Sequence, residues 1–222
     1  MAVLGVDGWR GAWVGALLDG RSVRLLHLRD AEAVLAVPDV EVVAIDMPIG
    51  LSDDGPRVCD QEAKALLGSA GSSVFASPVR PVLATDDYAE GRRISVAATG
   101  GTSLSAQAFQ LVPSIRALDD ALGEPPADHV VEVHPELAFR VGLGGVSDPK
   151  GTARGAAQRL AALRAVMDVE EAMLAAPPRV PAVDALDACA AAWSARRVAD
   201  GTNACVGDGA LDARARPMRI CW

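Results

Sequence analysis

The sequence predicts an α/β protein built on a mixed five-stranded sheet, and three observations carry that prediction. Two short apolar runs, Ala2–Asp7 and Glu41–Asp46, each end in an aspartate. Unbroken apolar runs of this length suit strands buried on both faces, as in parallel pairs. Two more strand-like runs lie between them, separated by Asp19-Gly20, a strong hairpin signal. A fifth run, His129–His134, follows only after a long helical stretch.

Taken in order, Ala2–Asp7 is the first strand and Gly8-Trp9-Arg10-Gly11 a tight turn. Ala12–Leu18 and Arg21–Leu28 complete an antiparallel meander. Asp30 caps a short helix, Ala31–Ala36, and this helix lets Glu41–Asp46 return parallel to the first strand. Residues 51 to about 128 form a helical insertion. Pro56 opens its first helix and Gly68 ends it, with Arg57, Asp60 and Lys64 as a polar stripe. Ser69–Ser73 and Ser77–Pro81 are loops, Asp86 or Asp87 starts a short helix, and Ser105–Leu122 is helical with a kink or split at Pro113. Beyond the fifth strand come a short helix at Pro135–Val141 and a longer one at Thr152–Met167. The last long helix runs from Pro181 to about Ala199, with Val183, Leu186, Ala190 and Trp193 as its buried stripe. The tail, Pro217–Trp222, adds a short strand or packs Trp222. The expected organisation is one domain, 1–222, carrying the insertion.

Composition narrows the function classes. At 222 residues, with 50% hydrophobic and 23% charged residues, the chain buries a sizeable core. A net charge of −8 disfavours general attraction to nucleic acid, and 4% aromatics leave few platforms for stacking bases. Cys59, Cys189, Cys205 and Cys221 show no metal-ligand spacing. The expected state is a cytoplasmic protein with free thiols and no membrane partner.

The chemistry concentrates at the strand ends. In open α/β sheets, ligands bind beyond the carboxyl ends of the strands, where Asp7 and Asp46 fall side by side. Two carboxylates about 5 Å apart repel by about 3 kcal/mol at an effective dielectric of about 20. Such a pair requires a cation, a shared proton or a nearby arginine. The alternative is that each aspartate only caps its loop. Glu132 lies within the fifth strand and shares a face with His134, and a carboxylate there is costly to bury unpaired. Asp184 and Asp187 lie together on the last helix, about 100° round from its expected apolar stripe.

This arrangement is similar to the ribonuclease H-like fold, whose sheet order is 3-2-1-4-5 with strands 1, 4 and 5 parallel. More specifically, the chain resembles the DUF429 family, described as predicted nucleases of that fold. The matching segments run along nearly the whole chain. They are Gly5-Val-Asp-Gly-Trp-Arg-Gly, Asp46-Met-Pro-Ile-Gly-Leu, Arg57-Val-Cys-Asp60, Ser73-Val-Phe75, Ser105-Ala-Gln107, Glu132-Val-His-Pro-Glu136, Lys150-Gly-Thr152 with Arg159, and Asp184-Ala-Leu-Asp-Ala188. The resemblance implies two-metal hydrolysis of phosphodiester bonds, with Mg²⁺ or Mn²⁺ held by carboxylates. By position these are Asp7, Asp46 and Glu132, with Asp184 or Asp187 from the helix. Asp187 is preferred, because it lies a turn further in between apolar neighbours. All-oxygen donors suit hard cations.

Other residues are weighed as substrate contacts. Arg10 can reach from its turn, and His134 either orients a phosphate or serves the local structure. Lys150 precedes a helix N-terminus, a natural phosphate position, and Thr152 reads as a plain cap. Gln107 is a further candidate. Arg57, Arg80, Arg92 and Arg93 either form a basic patch or a salt-bridged face. The expected partner is a nucleic acid or nucleotide. The alternatives are a non-catalytic binding or regulatory protein, and an actin-like nucleotide-binding phosphotransfer protein.

Overall fold

The computed structural model describes residues 1–124 and 129–222, arranged as two compact units. The first comprises Met1–Met47, Asp128–Ala204 and Cys221–Trp222, and the second Pro48–Ala127 and Cys205–Ile220. The expected insertion is thus a unit in its own right, and it also takes in the chain near the C-terminus. The expected end of the insertion, at about residue 128, lies outside the described residues.

In the first unit, β1 (Ala2–Trp9), β2 (Ala12–Asp19) and β3 (Ser22–Leu28) form the meander. α1 (Ala31–Leu35) leads to β4 (Val40–Asp46), and β5 is Val130–Glu132. The Asp30 carboxylate accepts from the Ala33 amide at 2.8 Å, so the expected cap holds. The sheet order is β3-β2-β1-β4-β5, with β1, β4 and β5 mutually parallel, as expected of a ribonuclease H-like sheet. β1 outlasts its predicted end because pairing with β2 continues to Trp9 opposite Ala12. The hairpin closes on Arg10 and Gly11, at φ 50° and 80°. Two left-handed residues match the twist of the flanking strands, and Arg10 bears the steric cost that a glycine would avoid.

The C-terminal part of this unit carries α5 (Pro135–Leu137), which runs on into a π-helical turn, Ala138–Leu143. α6 (Ala153–Arg164), α7 (Val169–Leu174) and α8 (Ala182–Ala199) follow. α6 stops three residues before its predicted end. The Arg21 guanidinium supplies the reason, donating to the carbonyls of Arg164 (2.9 Å) and Ala165 (3.0 Å), where a cation suits a helix C-terminus. Gly155, Arg159 and Leu163 of α6 are buried, as is Met167 beyond its end, while Ala156 and Leu160 are half-buried.

α8 lies directly against the sheet. A Cβ on Gly5 would come within 1.9 Å of the Ala192 nitrogen and 2.3 Å of the Ala188 oxygen. Only glycine permits that approach, and the alanines of α8 supply the matching flat surface. The predicted one-sided stripe is therefore wrong. Every residue from Ala185 to Ala192 is buried, whereas Val183 and Trp193 are only half-buried. Helices α5, α6 and α7 cover the sides that the sheet leaves.

The second unit contains α2 (Val58–Leu67), α3 (Tyr88–Thr99) and α4 (Ala106–Ala121). Gly68–Ser73 and Arg80–Ala84, both expected as loops or loop edges, wind into 3₁₀ turns. α2 begins at Val58, after Pro56, because Arg57 is its N-cap. In the expected polar stripe, Arg57 and Asp60 are buried and paired at 2.5 Å, and Arg57 also donates to the Gly50 carbonyl at 3.0 Å. Pro113 does not split α4. Val79, Val82, Leu104, Ala108 and Val112 form an apolar core in this unit. A second buried focus is polar. Asp119 accepts from Arg80 (3.0 Å), Arg214 (2.8 Å) and Arg216, and Asp212 accepts from Arg80 and from the amides of Leu51, Arg214 and Arg216.

The tail forms a strand as expected: β7 (Ile220–Cys221) joins β6 (Cys205–Val206) in a two-stranded sheet. Cys205 and Cys221 are disulfide-bonded, so the free-thiol expectation holds only for Cys59 and Cys189, both buried. Among the described residues no helix is long and apolar enough to cross a membrane.

A buried carboxylate site at the strand ends

Asp7 and Asp46 are direct partners in the parallel pairing of β1 with β4, so their side chains leave the same sheet face. That face is the one bearing Gly5, two residues before Asp7, and hence the face covered by α8. Asp187 comes from α8 and is only 1% exposed. Its Oδ2 accepts from Lys150 Nζ at 2.7 Å, while its Oδ1 is buried with no hydrogen-bond partner. Asp184, one turn earlier on α8, is half-buried.

These carboxylates disturb one another. Burial, then Asp46, Asp187 and Asp184, hold the Asp7 carboxyl well above the ordinary aspartate range. Burial and Asp187 push Asp46 up to about 7, against the opposing pull of Lys150. Asp187 is raised chiefly by burial, with Lys150 opposing, and burial also raises Asp184. Burial tends to strip the proton from Lys150, but Asp187, Asp46 and Asp7 outweigh it and hold the ammonium charged. One ammonium therefore serves at least three carboxylates.

Glu132 is not part of this group. It pairs with Ile45, one residue before Asp46, and alternation therefore puts it on the opposite sheet face. The expectation of three strand carboxylates in one site fails by that single step of register. Glu136 comes nearer instead, adding to the repulsion felt by both Asp46 and Asp187. It is not a spare ligand. Arg140 Nε meets its Oε2 at 2.6 Å and Arg159 its Oε1, and together they hold its carboxyl below the usual range despite burial. A sequence signal for Glu136 existed, since Pro135 marks a helix start and places the glutamate in its first turn.

The arginines that hold Glu136 also hold the segment bearing Lys150. Arg140 donates to the carbonyls of Ser147 (3.1 Å) and Asp148 (3.3 Å), and Arg159 donates to that of Asp148 (3.1 Å). Gln158 Oε1 accepts from the Ser147 and Asp148 amides at 3.1 and 2.9 Å. Thr152 caps α6, accepting from the Gly155 amide at 3.0 Å, as expected.

The remaining candidates divide. Lys150 is in the site, bound to a carboxylate. His134 is the N-cap of α5, its Nδ1 accepting from the Glu136 amide at 3.2 Å, a local structural role. Trp9 packs edge-on against His27 at 5.6 Å, and Arg10 is exposed at the hairpin tip. Gln107 is exposed on α4 in the second unit. The four arginines weighed as a basic patch all have partners: Arg57 with Asp60, Arg80 with Asp119 and Asp212, Arg92 with Ser103 and Tyr88, Arg93 with Glu90.

The donor set is all oxygen, which suits a hard divalent cation, and the partnerless buried Oδ1 of Asp187 is an acceptor without a donor. As they stand, no three His, Cys, Asp or Glu among the described residues converge into a group that could hold a metal ion. Asp187 instead directs one oxygen to Lys150.

Fold and site together define an α/β protein of 3-2-1-4-5 topology with an acidic site at the carboxyl ends of its parallel strands. Residues 5–211 match the family described as "Protein of unknown function (DUF429)", and the chain belongs to that family. No curated protein and no solved structure matches it.

Proposed function

We propose that the protein is a metal-dependent hydrolase of phosphodiester bonds, acting on a nucleic acid or nucleotide. The observation that carries this reading is the trio Asp7, Asp46 and Asp187, three carboxylates, two buried and one half-buried, that outnumber the one ammonium bonded to them, Lys150. A native state that gathers such a group is stabilised by whatever neutralises it. Asp7 and Asp46, with Oδ1 of Asp187, are the donors for Mg²⁺ or Mn²⁺. Bound there, a divalent cation supplies Lewis acidity toward a phosphoryl oxygen and lowers the pKa of water. α8 excludes water from behind the carboxylates, and the strand ends fix their separation. Lys150, half-exposed at the rim, is the group available to a substrate phosphate.

A second reading, a non-catalytic binding protein, draws on the Lys150–Asp187 pair, which neutralises part of the cluster without any metal. One experiment separates the two. Hydrolysis of single- and double-stranded oligonucleotides and of a small chromogenic diester is followed with Mn²⁺, for the wild type and for Asp7→Asn. Mn²⁺-dependent turnover that Asp7→Asn abolishes supports the hydrolase. Mn²⁺ binding with no turnover on any of them favours the second reading.

A further inference from the structure

Lys150 differs from an ordinary surface lysine in how its two ends are treated. Its backbone follows a segment clamped by Arg140, Gln158 and Arg159, all acting on Ser147 and Asp148. Its side chain is 49% exposed, yet Nζ lies 2.7 Å from a carboxylate that is almost fully buried. The base is fixed, and about half of the side chain is open to solvent.

We propose that Lys150 is a resident counter-ion that competes with divalent cation for the Asp187 carboxylate, so that cation binding expels the ammonium to the rim. This rests on the metal-dependent reading of the site. The two oxygens of one carboxylate are close neighbours, and a hard cation sits about 2.0–2.6 Å from its donor oxygen. An ion on Oδ1 and the ammonium on Oδ2 would therefore be near neighbours of like charge in a buried place, where water screens them poorly. The ammonium is the one able to leave, since it ends a flexible four-carbon stem with solvent access. The clamp acts on the backbone, so the expelled ammonium stays at the mouth of the site. There it meets whatever anion the cation brings. Glu136, Arg140 and Arg159 are thus positioning residues, acting through the segment that carries Lys150.

The test uses Mn²⁺ alone. Calorimetric titration compares the wild type with Lys150→Met and Lys150→Arg. Competition predicts at least tenfold tighter Mn²⁺ binding for Lys150→Met and an affinity within threefold of wild type for Lys150→Arg. Without metal, Lys150→Met should melt lower than wild type, and Mn²⁺ should restore it. A measurement on the unaltered chain protects against a variant that fails to fold. Lys64 and Lys150 are its only lysines, so amine acylation read by peptide mass spectrometry has an internal control. Mn²⁺ should speed acylation of Lys150 several-fold and leave Lys64 unchanged. Equal or weaker Mn²⁺ binding in Lys150→Met, or Lys150 acylation that Mn²⁺ does not raise, overturns the competition alone. No Mn²⁺ binding to wild type or to Lys150→Met overturns it together with the metal reading.

Discussion

Each of the two units buries a cluster of charge, and the clusters are built in opposite ways. In the second unit, Asp119 and Asp212 are surrounded by donors, with Arg80, Arg214 and Arg216 converging on them and three amides supplementing Asp212. Burial would raise the Asp212 carboxyl, but those amides and Arg80 outweigh it and hold it below the usual range. In the first unit, Asp7, Asp46 and Asp187 share Lys150, and all three are raised. Burial is common to both clusters, so burial alone does not mark a functional site. The balance of charge does: in one cluster three guanidiniums meet two carboxylates and the atoms left without partners are donors, the Nε of Arg80 and of Arg216, whereas the other is short of positive charge and its bare atom is an acceptor oxygen.

The largest expected effect lies in the arginine-rich cluster. Arg216 is fully buried, and its loss leaves Asp119 short of a partner it cannot replace from water. Arg216→Ala should cost about 3–5 kcal/mol in denaturant titrations. A loss below about 1 kcal/mol would show that the network is not the structural centre claimed for it. The carboxylate-rich cluster should respond in the other direction. In EDTA at pH 8, Asp7→Asn or Asp46→Asn should leave stability unchanged or raise it by about 1–3 kcal/mol, through relief of like-charge repulsion. A clear loss in both variants would return these aspartates to the role of loop caps.

The sequence revealed the two clusters unequally. Apolar runs ending in Asp7 and Asp46 and the Asp19-Gly20 turn were sufficient for the topology and for one pair of site residues. Glu132 misled because strand alternation predicts which residues share a face along one strand. The offset to the neighbouring strand is set by pairing, which a single strand does not record. The α8 stripe misled for a related reason, since a helix covered on all sides has no amphipathic signature to read. Arg57 and Asp60 looked like surface residues because a buried ion pair and a solvated one have the same composition. The Arg80, Asp119, Asp212 and Arg216 group joins segments more than a hundred positions apart, and no local pattern announces it.

The two clusters should also separate on the pH axis. Asp46 is raised from an ordinary value of 3.8 to about 7, so between those values the native state binds a proton that the unfolded chain has lost. Its contribution is present at low pH and is lost as pH rises through about 7. Metal-free stability should therefore fall across this window, by at most about 1.4 kcal/mol per pH unit for each such proton. Asp212 acts with the opposite sign: its depressed carboxyl stabilises above the unfolded value, and that contribution is lost as acid protonates it. Melting temperatures in EDTA from pH 4 to 8 check the first slope, which Asp46→Asn should flatten. An unchanged slope in that variant would remove Asp46 as its source.

The smallest effect, and the sharpest division within one cluster, is expected between Asp184 and Asp187. Both lie on α8 one turn apart, so spacing alone does not rank them. Asp184 is half-buried in the first turn, where the helix dipole favours a carboxylate without any ligand. Asp187 lies deeper, faces Asp7 and Asp46 electrostatically, and has the partnerless oxygen. Asp187→Asn should weaken Mn²⁺ binding at least tenfold, and Asp184→Asn by less than threefold. The reverse pattern would make Asp184 the helix ligand. Lys150 complicates a simple reading of the first variant, because an ammonium released from residue 187 can turn to Asp7 or Asp46 and oppose the ion there. The double variant Lys150→Met, Asp187→Asn separates the two causes. If its Mn²⁺ affinity returns to the wild-type value, the loss in Asp187→Asn came from the freed lysine. If it stays weak, the missing oxygen of Asp187 is responsible.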